Sequence, residues 1–258
     1  MNWKITLLAS LLACSGLVGA AQQQTLKIGT NSGYAPFEIK NSDGTLAGLD
    51  IDIGNELCKR LSARCIWVDT AFDGLIPSLQ ANKIDLINSS MNITEKRQQS
   101  IAFTKPIYVV PIQMVARKDA GLQPTAQSLK GKSVGVLQGS SQADFALQHW
   151  AKSGVNVVAY PEQDQIFMDL YVGRLDAALQ ETQSAQDAFL NQPQGRDFGF
   201  AGDPVTDPVT LGQGTGIGMR KKDDALLLQV NQALDGMKAD GTLETLSKRY
   251  FARDITAR

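Results

Sequence analysis

The residues best equipped for chemistry in this chain are suited to holding small ions, not to attacking bonds. Arg97 carries a planar guanidinium that can grip both oxygens of a carboxylate. Just upstream, Ser89, Ser90 and Asn92 bring two hydroxyls and an amide to what reads as a strand end. Ser140 and Ser141 follow Gly139 and open an apolar-periodic segment. One of them should cap that helix, whose free N–H groups make an anion site. Glu181 supplies negative charge at a further strand end. Tyr34 and Phe72 each follow a strand-like run, where aromatic rings can clamp an alkyl or planar group. Singly, each has an ordinary alternative, Phe72 as core and Arg97 as a surface ion pair. Together, a carboxylate site, an acidic site and an aromatic clamp suit a free amino acid.

Catalysis is poorly supplied. His149, the one histidine, sits on an amphipathic segment and reads as a surface residue. No His/Asp/Glu cluster has metal-ligand spacing. Asp50 and Asp52, in GLDIDIG, read as charges at a helix N-terminus. Gly212, Gly214, Gly216 and Gly218 strip one strand face of side chains. Close backbone packing at a crossover explains them better than a dinucleotide loop, which needs a strand-to-helix turn. No catalytic residue, cofactor or metal is expected. A net charge of −1 argues against a nucleic-acid binder.

These groups need a frame, and 258 residues with 43% hydrophobic content provide one. Residues 1–20 carry Lys4, an apolar centre and small residues at Gly19 and Ala20, the shape of a cleavable export signal. A rival lies at Leu11-Leu12-Ala13-Cys14, which resembles a lipoprotein box. Cleavage after Ala20 leaves Cys58 and Cys65, an even pair that in an exported chain points to a disulfide between a helix and the next strand. Two buried thiols are the alternative.

Periodicity gives strands at 25–30, 65–69 and 83–87, alternating with helices at 48–63 and 72–81. The order recurs with strands at 133–137, 155–160 and 174–179 and helices at 141–152 and 162–172. LQANKIDLI (79–87) aligns with LYVGRLDAA (170–178), an offset of 170 − 79 = 91 residues. This is an α/β chain of two similar lobes, each a mainly parallel sheet flanked by helices. Ligands of open α/β sheets bind beyond the strands' carboxyl ends. Ser89-Ser90 and Gln180-Glu181 occupy equivalent ends, so facing lobes would put all four on one cleft. After another strand near 197–202, helices at 223–239 and 242–250 should return to the first lobe.

IGTNSGYAPFE, GLDIDIGNELCKRL, SSMNITEKRQQSIAFTKPIY and GVLQGSSQADF resemble the periplasmic binding proteins of ABC importers, most closely the histidine and lysine/arginine/ornithine binders of solute-binding protein family 3. The resemblance spans essentially the whole mature chain, including the cysteine pair. It implies a type II periplasmic-binding-protein fold, with lobe 1 at 21–109 and 211–258 and lobe 2 at 110–210, joined by two strand crossovers. It implies a periplasmic, monomeric, non-enzymatic protein that hands an amino acid to an inner-membrane ABC permease. Arg97, Asn92 and Ser141 would hold the α-carboxylate, with Ser140 beside them. Ser89, Ser90 and Glu181 would hold the α-ammonium. Tyr34, Phe72 and Leu137 would enclose the side chain, with Gln142 nearby. Three positions depart from the basic-amino-acid pattern. Asn31 stands for an Asp that meets the ligand's distal charge, Glu181 for an Asp, and Asn92 for a Ser. A neutral Asn31 keeps arginine, lysine, ornithine and histidine first, and admits glutamine, citrulline or an opine as rivals. A dehydratase-like enzyme on the same fold is the reading from another class, with Glu181 as its acid or base.

Overall fold

The structure, a computed structural model, describes residues 24–257. The export signal at 1–20 and the Cys14 alternative lie outside the described residues. The chain opens with β1 (Thr25–Thr30), β2 (Ile39–Lys40), β3 (Leu46–Ala47), α1 (Leu49–Arg60) and β4 (Arg64–Asp69). Next come α2 (Leu75–Gln80), β5 (Leu86–Ile87), α3 (Glu95–Gln98) and β6 (Ala102–Phe103). A second series follows: β7 (Ile112–Arg117), β8 (Ser133–Leu137), α4 (Ser141–His149), β9 (Asn156–Tyr160) and α5 (Gln163–Tyr171). It ends with β10 (Ala177–Glu181), α6 (Thr182–Ala185) and β11 (Phe198–Val205). The last elements are β12 (Gly218–Met219), α7 (Asp224–Ala239) and α8 (Thr242–Phe251).

Two five-stranded sheets result, ordered β4-β1-β5-β12-β6 and β11-β7-β10-β8-β9. In each, a three-stranded parallel centre (β4-β1-β5; β9-β8-β10) is extended by two antiparallel strands. The parallel centres have the same winding, with β1 in the middle of one and β8 in the middle of the other. Residues 25–103 and 218–219 build the first sheet and 112–205 the second.

The repeated aspartate explains a difference from the sequence expectation. Strands were expected from Lys83 and Arg174, yet the ladders start only at Leu86 and Ala177. Asp85 accepts the Lys27 N–H at 3.0 Å, and Asp176 accepts the Ser133 N–H at 2.8 Å. Each side chain takes the place of a ladder bond, so pairing begins one residue later.

Packing follows the periodicity. Leu49, Ile53 and Leu57 of α1 join Leu26 and Ile28 of β1 in a core completed by Val230 and Leu234 of α7 and Leu246 of α8. The C-terminal helices therefore cover the first sheet, as expected. Burying each such aliphatic side chain contributes about 1.5–3 kcal/mol. Cys58 on α1 and Cys65 on β4 are bridged, with Cα atoms 6.1 Å apart. The segment from 72 to 81 starts with a tight turn at Phe72–Gly74 before α2. The glycine stretch is only briefly a strand. A Cβ on Gly212 would lie 2.2 Å from the Ile93 carbonyl oxygen, which is the close backbone approach its sequence implied.

Candidate functional site

One cavity lies between the carboxyl ends of the two parallel centres. It holds about 390 Å³ of space between atoms, counting what opens to solvent. Asn31 reaches it from the end of β1, Phe72 from the end of β4, and Ser89, Ser90 and Asn92 from the end of β5. Arg97 enters from α3 and Tyr34 from the loop after β1. Leu137, Ser140, Ser141 and Gln142 come from the β8–α4 junction, and Glu181 from the end of β10. The structure thus brings together all twelve residues named from sequence as ligand-binding, with Gln180, which the equivalent strand ends also put on the cleft, and adds Leu179 to the wall.

Arg97 is held from both sides of the cavity. Thr94 caps α3 by accepting the Arg97 N–H at 3.3 Å. The guanidinium donates to the Asn92 carbonyl at 2.8 Å and the Gly139 carbonyl at 3.0 Å, and lies 5.4 Å from the Phe72 ring centre. This uses only part of its donor set, leaving N–H groups for an anion. Burial lowers its pKa to about 10, so it stays charged at neutral pH. Ser140 is the cap of α4, accepting the Ala143 N–H at 3.1 Å. Ser141 is left beside Arg97's neighbour Asn92, whose amide donates to the Ser141 hydroxyl at 2.9 Å. Outside the cavity, Lys96 pairs with Asp144 at 2.8 Å and Gln138 donates to Asp73 at 2.6 Å, tying the two series together.

The opposite electrical pole is Glu181. Its Oε2 is buried without a hydrogen-bond partner among the described residues. Burial, then the charge of Asp50, raises its pKa to about 8. Tyr34, beside it, is raised well above its ordinary value by burial and by facing Glu181 and Glu38. Asn31 donates its amide N–H to the Thr70 carbonyl at 3.2 Å. Its Oδ1 can accept from other partners and its second amide N–H can still donate.

Sequence reasoning missed a layer behind this wall. Asp50 was expected to be a helix-terminal charge, but it is fully buried. It accepts the Ser90 N–H at 2.7 Å and the Tyr108 hydroxyl at 2.8 Å. Glu38, also fully buried, faces it and is raised well above its usual pKa by burial and then by Asp50. The signal was present: Asp50, Ile53 and Leu57 share one face of α1, so the buried stripe already included position 50. His149 keeps its surface role, 2.8 Å from Asp207. Among the described residues no group of three or more His, Cys, Asp or Glu is placed to hold a metal. No described helix is long and apolar enough to cross a membrane.

Comparison with known proteins decides the family. The profile of bacterial extracellular solute-binding proteins, family 3, matches residues 26–253. The chain belongs to that family. This family 3 chain is 50% identical over 250 residues to the lysine/arginine/ornithine-binding periplasmic protein of Escherichia coli K12, covering 94% of this chain and 96% of the relative. It is 51% identical over 236 residues to the histidine-binding periplasmic protein of the same strain, covering 92% and 91%. A solved arginine-specific periplasmic binding protein of Salmonella typhimurium superposes with a TM-score of 0.81 at 34% identity, over 88% of this chain and 99% of that one. An ancestral arginine-binding protein bound to glutamine gives 0.81 at 30%, over 90% and 100%. The two-sheet architecture is that of these periplasmic binding proteins.

Proposed function

We propose that this family 3 protein captures a free basic amino acid in the cavity and delivers it, as a periplasmic monomer, to an ABC permease. The observation that carries this is the pairing of a buried guanidinium, Arg97, with a buried carboxyl, Glu181, across one cavity. A zwitterion is the ligand that satisfies both. Arg97, Asn92 and Ser141 take the α-carboxylate, with the α4 N-terminus behind them. Ser89, Ser90 and Glu181 take the α-ammonium. Phe72, Leu137 and Tyr34 enclose the alkyl chain. Asn31 accepts from its distal end, and Gln142 lies close by. The Asn31 oxygen can accept from a guanidinium or ammonium, in line with relatives named for basic amino acids. The lobes are taken as 21–109 with 211–258, and 110–210, turning about the two crossovers between them. Residues 1–20 serve as the cleaved export signal.

A second reading has its own support. The Asn31 acceptor also suits a neutral carboxamide or ureido group, and a relative of similar architecture is known with glutamine bound. Calorimetric titration of ligand-stripped protein with arginine, lysine, ornithine, histidine, glutamine and citrulline tests both. Binding of a basic member first supports the main reading. Glutamine or citrulline first supports the second, and binding of none overturns both.

A further inference from the structure

Ser90 meets the cavity in an unusual backbone conformation, with φ at 45°. The left-handed region costs a non-glycine residue roughly 1–2 kcal/mol. What holds it there lies out of reach of any ligand. Asp50, Tyr108 and Glu38 are buried behind the wall and do not line the cavity. One Asp50 oxygen accepts the Ser90 N–H, and the other accepts the Tyr108 hydroxyl. The Tyr108 hydroxyl lies 3.0 Å from the Ser90 Oγ.

Proton counting then sets a direction. The tyrosine has one hydroxyl proton, and it goes to Asp50. The contact between the two hydroxyls then uses the serine's proton, which points inward toward Tyr108, with Glu38 also within its hydrogen-bonding reach. Ser90 Oγ is left with lone pairs only on its cavity side. The direction holds only while Asp50 is the acceptor, and its surroundings keep it one. Two carboxyls in a dry interior with no cation beside them cannot both ionise. Asp50 accepts the Ser90 N–H and the Tyr108 hydroxyl, bonds that favour its charged form, and Glu38 is pushed well above its usual pKa by burial and then by Asp50. Glu38 is the acid and Asp50 the carboxylate. The relay sits where the chain leaves the first sheet, since Tyr108 also pairs through its backbone with Thr215 of the returning strand.

We propose that Asp50, acting through Tyr108, fixes Ser90 as an acceptor-only group and thereby selects a cationic donor, the ligand's ammonium, at this end of the cavity. Asp50 and Tyr108 are positioning residues that touch no ligand. The inference rests on the amino-acid reading above.

A double-mutant cycle tests it, using whichever of L-arginine, L-lysine, L-ornithine and L-histidine the wild-type protein binds most tightly. Tyr108→Phe keeps the ring and removes the relay. It should weaken binding about tenfold, the worth of one buried hydrogen bond. In a Ser90→Ala background the same change should alter affinity by less than about twofold. A merely structural Tyr108 would give the same factor in both backgrounds, and that additivity overturns the proposal. Melting curves check folding of each variant, and Asp50→Asn replaces Tyr108→Phe in the cycle if the latter does not fold. Wild-type protein that binds none of the four overturns the basic-amino-acid reading instead, a result read before any variant is made.

Discussion

Arg97 and Asn31 divide the recognition problem between what all ligands share and what distinguishes them. The carboxylate is common to every amino acid, so Arg97→Ala should weaken all of them alike. Loss of a charge-assisted pair makes that about 10–100-fold or more. Titration of the variant with two chemically different ligands checks it, and loss of only one ligand contradicts the assignment. Asn31 acts at the other end. One amide N–H is committed to Thr70, which leaves its oxygen and its second N–H on offer. Asn31→Asp exchanges a neutral acceptor for a charged one, about twice as strong toward a cation. Affinity for arginine or lysine should rise relative to glutamine by roughly tenfold. A ratio that does not move places Asn31 away from the ligand's distal end. Arg97 was legible from its type and its place after a strand end, whereas Asn31 came only through the resemblance to the basic-amino-acid binders. Glu38 and Tyr108 were not singled out, and Asp50 was read as a helix-terminal charge because the helix dipole explains such a carboxylate adequately. The stripe of Asp50, Ile53 and Leu57 on one face of α1 carried the contrary signal of burial.

At the scale of elements, the repeat carried most of the fold. The offset of 91 residues placed β5 and β10 at equivalent sites, and their first residues, Leu86 and Ala177, keep it as 177 − 86 = 91. Strand lengths were not legible, since Asp85 and Asp176 compete for the first ladder bonds through side-chain oxygens that no periodicity reveals. The glycine stretch was read for its close packing, but its pairing, a short ladder at Gly218–Met219 and isolated bridges at Thr215, depends on neighbours remote in sequence. The disulfide was legible from the even cysteine count, and it joins α1 to the start of β4, the end opposite the one that leads to Phe72. Closing so short a loop restrains the unfolded chain by about 2–3 kcal/mol. The double variant Cys58→Ser/Cys65→Ser should lose about that much in urea unfolding, with a small effect on ligand affinity because neither sulfur lines the cavity. A large fall in affinity at unchanged stability would show that the bridge instead positions the site.

At the scale of the whole molecule, the two halves press like charges together. Asp50 stands on the first sheet's helix and Glu181 at the end of a second-sheet strand, and their repulsion, after burial, holds Glu181 at about 8 rather than its ordinary 4.5. Separating the lobes would return Glu181 to water. The carboxyl therefore binds its proton more tightly in the closed arrangement than in an open one. Closure of ligand-stripped protein then gains from acid and is progressively penalised as pH rises from about 4.5 to about 8. A ligand ammonium removes that penalty by pairing with the ionised carboxylate, and differential stabilisation of this kind is what shifts a two-state equilibrium. Small-angle scattering of stripped protein should show a smaller radius of gyration at pH 5.5 than at pH 8. Saturating ligand should give the compact value at both. Glu181→Gln cannot ionise, so its stripped form should be equally compact across that window. A radius that depends on pH in Glu181→Gln as in the wild type would place the proton elsewhere and remove Glu181 from control of closure.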